Sequence, residues 1–336
     1  MNLGGSNQLE DRWGRQITYL RASLTDRCNF ACQYCSPEEG TPHADRPNQL
    51  TVDQYLRLFT LFGQAGIQHI RLTGGEPLIY PKLADLLARL PACGVPTWSI
   101  STNGVLLPRW AERLRLAGIR KVNVSVDSLE EQRFFALTRG GKISQVLRGV
   151  EAALAAGFSQ VAINVVLYDS QTLEEAPKLA AHFLPMGAQL RFIETMPLGA
   201  AGVQSLQSQR ITAEEVQNVL MDHYGSLEEL ASEPHHGPAR YYRFSRWTGT
   251  VGFIAPWTAN FCAHCNRVRL TAEGHLRYCL GQEQGMDLRV LLQKGIADTD
   301  LIQAIQGGIA EDKPEHHYFQ ENLQLSKRVY MMQVGG

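Results

Sequence analysis

Seven cysteines carry the strongest chemical signal in this chain: Cys28, Cys32, Cys35, Cys93, Cys262, Cys265 and Cys279. Six of them fall into two groups of three, far apart in sequence. The first, CNFACQYC, has the spacing C-x3-C-x2-C, and the second, FCAHC followed by Cys279, has C-x2-C-x13-C. Three thiolates can hold three irons of a four-iron cluster and leave the last iron without a protein ligand. An open coordination position is what lets a metal site do chemistry, as at catalytic zinc. A structural zinc is the alternative at each group, completed by His43 or Asp26 at the first and by His264 or His275 at the second. Disulfides are a weaker reading, because the count is odd. The opening residues MNLGGSNQLEDRWGRQ also lack a basic segment followed by an apolar one, so a reducing, cytoplasmic address is expected.

The elements that must position these thiols are legible from periodicity. Short β-rich runs at 17–25, 67–73, 95–101, 119–127, 158–168 and 188–194 alternate with amphipathic stretches such as 52–66, 81–94 and 143–157. Gly66, Gly94, Gly118 and Gly157 stand where helix C-caps would fall. Strand–helix repeats of this kind build a parallel α/β sheet with crossover helices, and six of them suit a partial barrel or an open sheet. Active sites collect at the C-terminal ends of such strands. The first cysteine group, the LTGGEP turn with Gly74, Gly75 and Glu76, the run Ser101-Thr102-Asn103, and Ser125 all map there. Paired glycines let backbone come close to a ligand, and Glu76 can accept from an ammonium group. A small polar linker at 198–210, a helix-like 211–225 and an irregular 232–260 follow, so a boundary is placed near residue 225.

Composition excludes several classes. The chain has 336 residues, 44% hydrophobic and 19% charged, with a formal net charge of −1. It is long enough for a large core and too balanced in charge for disorder or a bulk grip on nucleic acid. The longest uncharged stretch, Ala152 to Tyr168, is interrupted by Gly157, Ser159, Gln160 and Asn164, so no bilayer span is expected. Cys93 reads as a structural thiol. Trp98, Trp110, Trp247 and Trp257 read as packing or site walls, and RYYRFSR (240–246) as an edge strand with solvated arginines.

The segments SLTDRCNFACQYCSPEEG, RLTGGEP, STNG, SVDSL and LRFIETM together resemble the radical S-adenosylmethionine superfamily. Within it, the chain is similar to the GTP 3′,8-cyclase family, which opens molybdenum-cofactor biosynthesis. The resemblance runs from Arg21 to the last residue. The first triplet marks the superfamily, whereas the second triplet and the terminal Gly335-Gly336 mark the family. It implies a partial, six-repeat TIM-like βα barrel over 1–225 and a smaller iron–sulfur and GTP-binding region over 226–336. It implies a first [4Fe-4S] cluster on Cys28, Cys32 and Cys35 and an auxiliary one on Cys262, Cys265 and Cys279, whose open iron faces the purine. Tyr34, Gly74, Gly75, Glu76, Ser125 and Met196 match S-adenosylmethionine positions. Arg21, Arg71, Thr102, Arg191, Arg267 and Arg269 match GTP positions, and arginine forks suit triphosphate oxygens. Gly335 and Gly336 match a tail that reaches the active site.

The implied reaction generates a 5′-deoxyadenosyl radical that takes the ribose 3′ hydrogen, and the carbon radical then attacks C8 of guanine. An external electron donor and transfer of product to cyclic pyranopterin monophosphate synthase are implied too, by a monomer or homodimer with no nucleic-acid or membrane partner. Two family lysines are missing: His69 and Ala162 stand in their places. A divergent two-cluster enzyme acting on another nucleotide or a peptide, or a non-catalytic iron–sulfur or zinc module, therefore stays open.

Overall fold

The computed structural model describes residues 8–36, 48–198, 203–205, 210–231, 237–315 and 331. Gly335, Gly336 and His43 lie outside these described residues. The first half alternates strand and helix in the order β1 (Tyr19–Ser23), α1 (Val52–Gln64), β2 (His69–Thr73), α2 (Leu83–Arg89), β3 (Thr97–Thr102), α3 (Leu107–Leu116), β4 (Ile119–Ser125), α4 (Glu131–Thr138), α5 (Ile143–Ala155), β5 (Gln160–Leu167), α6 (Ser170–Phe183) and β6 (Gln189–Glu194). All six expected strands form, and each runs parallel to the next.

Local chemistry sets the helix limits. Thr51 and Gln54 make a capping box at the start of α1, with Gln54 N donating to Thr51 Oγ1 at 3.2 Å and Thr51 N to Gln54 Oε1 at 2.9 Å. The helix then buries Tyr55, Leu56, Phe59 and Phe62 on the face its three- and four-residue spacing defines. The turn after it uses Gly66 at φ +96°, a left-handed conformation that favours glycine. Trp98 is buried edge-on to Phe59, Trp247 packs on Tyr224 and Phe244, and Cys93 is buried beneath α1.

Beyond α7 (Ala213–Tyr224) come β7 (Glu228–Glu229), β8 (Arg240–Arg243), β9 (Thr250–Ile254), β10 (Arg267–Leu270), β11 (His275–Arg277), β12 (Gly285–Asp287), α8 (Leu288–Gln293) and α9 (Asp298–Asp312). These strands do not form a separate layer. Strand β9 joins β6 in parallel and β10 joins β1 in parallel, so one twelve-stranded sheet runs β12-β11-β10-β1-β2-β3-β4-β5-β6-β9-β8-β7. Strands from both sides of residue 225 therefore belong to one sheet. The strand at 240–243 pairs with β9 on one side and the two-residue β7 on the other, so the RYYR run is not the outermost strand as expected.

Alternation along each strand separates two surfaces. Leu20, Ala22, Ile70, Leu72, Ile100, Val122, Val124 and Ile163 are fully buried among the apolar residues of the core. The intervening positions carry Tyr19, Arg21, His69, Arg71, Ser99, Lys121, Asn123, Gln160, Asn164 and Arg191. A slip of one residue would turn this polar row, arginines included, into the core, so the pattern fixes the register.

Candidate active site

The first triplet lies in the loop after β1, and that loop is bonded to the end of β2. Gly75 N donates to Thr25 O at 2.7 Å and Glu76 N to Arg27 O at 2.8 Å. The backbones approach so closely that a Cβ on Gly75 would stand 2.1 Å from Arg27 O, and one on Gly74 2.3 Å from Thr25 O. The glycine pair therefore admits the cysteine loop itself, as well as lining the pocket beside it.

Glu76 is 1% exposed, and its carboxylate accepts three hydrogen bonds. Oε1 accepts from Leu78 N at 3.0 Å and from Thr102 Oγ1 at 2.8 Å, while Oε2 accepts from Asn103 N at 2.7 Å. Burial pushes the carboxyl up to about 7, although the three donors favour its charged form. The side chain thus ties the LTGGEP turn to the end of β3. Asn103, held this way, donates through Nδ2 to Asn29 Oδ1 at 2.7 Å and lies 3.9 Å from Cys28 Sγ. Tyr34 donates to Asp127 Oδ2 at 2.6 Å.

One pocket collects Cys28, Cys32 and Cys35 with Tyr34, Gly74, Gly75, Ser125, Asp127 and Met196. Burial pushes the Cys28 thiol up to about 11 and Cys32 higher than its ordinary value. Such thiols lose their protons to a metal. Three half-buried thiols that line one pocket and form no disulfide fit a four-iron cluster with an open corner.

The second triplet lines a neighbouring pocket, and this one is strongly cationic. Sheet register sets Arg267, Tyr19 and His69 in one row and Arg269, Arg21 and Arg71 in the next, all facing it. Arg191 and Lys121 reach it from β6 and β4. Arg71 and Arg267 stand over the Tyr19 ring at 5.6 and 5.7 Å, with the His69 ring 4.4 Å from the same ring. Asn123 lies between Arg71 and Arg191. Gly252 leaves the room for this, since a Cβ there would stand 2.7 Å from the Tyr241 ring and 3.2 Å from Arg191 Cγ.

The charges in this pocket are poorly compensated. Among the described residues, no ion pair joins Arg71, Arg191 or Arg267 to a carboxylate. Burial first, then Arg267 beside it, brings Arg269 down to about 10, so it remains charged at neutral pH. Burial would raise the Tyr19 hydroxyl, but Arg71, Arg21, Arg267 and Arg191 outweigh it and bring it down. Tyr19 OH, Arg191 Nε and Arg267 Nε are buried with no hydrogen-bond partner. Orphaned donors within a like-charged cluster describe a site built for an anion. His69 does not add to that charge: burial and the nearby Arg71, Lys121, Arg21 and Arg267 bring it down to about 2, so it is neutral. His69 therefore stands in the place of a family lysine without supplying its charge.

The two pockets share a wall made by Asn164, Ile193, Met196 and Met331. The structure thus gathers five of the six expected nucleotide residues with the second triplet. Thr102 is the exception, being buried with Glu76 and lining the first pocket. Sequence reasoning missed Tyr19, Lys121, Asn123 and Tyr241 in the cationic pocket and Asp127 in the other. Their signal was parity, since Tyr19 precedes Arg21 by two positions and Asp127 follows Ser125 by two.

Residues 22–183 match the family model described as the Radical SAM superfamily, and residues 188–319 that described as Molybdenum Cofactor Synthesis C. A GTP 3′,8-cyclase of Marinobacter nauticus is 39% identical over 329 residues, covering 98% of this chain and 99% of its own. GTP 3′,8-cyclase 1 of Pseudomonas aeruginosa is 40% identical over 97% of this chain and 98% of its own. Among solved structures, Streptococcus suis SuiB bound to precursor peptide SuiA superposes with a TM-score of 0.63 at 13% identity, over 88% of this chain. The chain spans 66% of that protein's length, and the likeness is one of fold.

Proposed function

The chain belongs to the GTP 3′,8-cyclase family of radical S-adenosylmethionine enzymes, which catalyses the first step of molybdenum-cofactor biosynthesis, and from that premise we propose how its two pockets divide the work. The superfamily carries a [4Fe-4S] cluster and S-adenosylmethionine, and Cys28, Cys32 and Cys35 would hold the cluster here. Tyr34, Gly74, Gly75, Ser125 and Met196 would hold S-adenosylmethionine beside it. When bound, the pair supplies the 5′-deoxyadenosyl radical that takes the ribose 3′ hydrogen of GTP.

GTP would occupy the cationic pocket, with its triphosphate on Arg21, Arg71, Arg191, Arg267 and Arg269. Cys262, Cys265 and Cys279 would carry an auxiliary [4Fe-4S] cluster toward the purine. Lys121 lines the same pocket and offers a cation near the positions where His69 and Ala162 replace family lysines. That supports binding of a triphosphate despite the two missing lysines. The product would be (8S)-3′,8-cyclo-7,8-dihydroguanosine 5′-triphosphate.

One observation carries this reading: a single wall of Asn164, Ile193, Met196 and Met331 faces both pockets. Two substrates bound on either side would meet there, with the reacting carbon held against the adenosyl group. Met331, four and five residues before Gly335 and Gly336, lines that wall, which supports a role for the two glycines at the site. The division into 1–225 and 226–336, reduction by an external donor, transfer to cyclic pyranopterin monophosphate synthase and a monomeric or dimeric state in the cytoplasm complete the proposal. No helix among the described residues is long and apolar enough to cross a membrane.

The test is an anaerobic assay of reconstituted protein with S-adenosylmethionine, GTP and dithionite, read by mass spectrometry. GTP-dependent 5′-deoxyadenosine with a cyclised nucleotide is the expected result. Cleavage of S-adenosylmethionine with GTP untouched would leave the first pocket's role intact and remove the second's.

A further inference from the structure

Lys313 is 3% exposed, an unusual place for an ammonium group. Its Nζ donates to Arg267 O at 2.8 Å and to Tyr278 O at 2.7 Å. These carbonyls belong to separate segments: Arg267 follows Cys265 by two residues, and Tyr278 directly precedes Cys279. One side chain therefore ties together the two arms of the second triplet. Among the described residues, no ion pair joins Lys313 to a carboxylate. A buried cation with two neutral acceptors still lacks a counter-charge, and burying one uncompensated is costly. The groups next to its two acceptor carbonyls are the thiols themselves, Cys265 two residues before Arg267 and Cys279 directly after Tyr278.

We propose that Lys313 is the built-in counter-charge of the auxiliary cluster, a positioning residue that sets the separation of Cys265 from Cys279 and raises the cluster's reduction potential. The proposal rests on the two-cluster reading above. Reduction adds one electron to a group already negative through its three thiolates, and a fixed cation nearby favours the reduced form. Hydrogen bonds from Lys313 to the ligand-bearing backbone act in the outer shell, where such contacts fix ligand orientation.

The test uses the full chain with Cys28, Cys32 and Cys35 replaced by Ser, so that only the second triplet can load. Iron is counted, and the cluster is titrated with dithionite under potentiometric control with EPR detection. Lys313→Gln keeps a hydrogen-bond donor and removes the charge, whereas Lys313→Arg keeps the charge. The expected result is about four irons per chain in each. Lys313→Gln should give an approximately tenfold lower reduced-to-oxidised ratio at a fixed poise, which is 59 mV for a one-electron couple. Lys313→Arg should stay close to the parent. Loss of iron from Lys313→Gln alone would also support the proposal, because charge is then what retains the cluster. Equal potentials in all three proteins, or equal shifts or iron loss in both variants, would overturn it and leave the two-cluster reading standing. A parent that binds no iron at the second triplet would overturn both.

Discussion

Substituting Gly75→Ala tests what the glycine pair is for. The added Cβ would stand 2.1 Å from Arg27 O, 2.4 Å from Arg27 C and 3.0 Å from Asp26 O. Ordinary contact begins near 3.4 Å, so the cysteine loop must retreat by roughly 1.3 Å from the end of β2. The atoms in the way are backbone, which has no rotamer to escape into. Retreat of that size breaks the bonds from Gly75 N to Thr25 O at 2.7 Å and from Glu76 N to Arg27 O at 2.8 Å. At about 0.5–1.5 kcal/mol each, their loss costs about 1–3 kcal/mol in stability. Cys28 rides on the same loop, and a displacement of about 1 Å in a reacting group typically costs about a hundredfold in rate.

The assay reads three quantities on anaerobically reconstituted protein: iron per chain, S-adenosylmethionine affinity, and the rate of 5′-deoxyadenosine formation. The expected outcome is loss of iron at the first triplet with a rate lowered at least about a hundredfold. Full iron content with only S-adenosylmethionine affinity reduced would refute the reasoning. In that case the glycine admits the ligand alone, and the contact with the cysteine loop is incidental.

Three further perturbations bear on the site. Arg15 pairs with the buried Asp11 at 2.6 Å and donates to Cys262 O and Pro314 O. Arg15→Met should therefore cost about 3–5 kcal/mol by stranding the carboxylate, seen as a lowered midpoint of chemical unfolding, and Asp11→Asn in the same chain should recover part of it. Lys121→Met should weaken GTP binding about 10- to 150-fold by calorimetry, the range for a lost charged hydrogen bond, and an unchanged Kd would remove Lys121 from the triphosphate site. His69 is held down to about 2 in the folded chain against 6.5 when unfolded, so below pH 6.5 only the unfolded state gains the proton and stability falls with pH. Between pH 6.5 and 5.5 this loss is about 1 kcal/mol, and His69→Gln should lack it; parallel pH–stability curves would show that His69 titrates normally.

What the sequence by itself determined was whatever is encoded locally. The triplets at 28, 32, 35 and 262, 265, 279 declared themselves by spacing, because cysteines with two or three residues between them in one loop can reach a common cluster. The six strands and the long helices followed from period, and Gly66 and Gly157 adopt the positive φ that ends a helix. Tertiary structure alone decided which residues face each other. Nothing near β10 announces that RVRL lies beside YLRAS, some 250 residues earlier, yet that pairing puts Arg267 and Arg269 alongside Tyr19 and Arg21. Sheet pairing depends on backbone groups every strand possesses, so partner and register are set by burial across the whole molecule. The same holds for Glu76, whose three donors come from its own turn and from β3, and for Lys313, whose acceptors lie 46 and 35 residues away. A charged side chain in a sequence looks solvated by default. Only the fold shows where water has been excluded and what has taken its place.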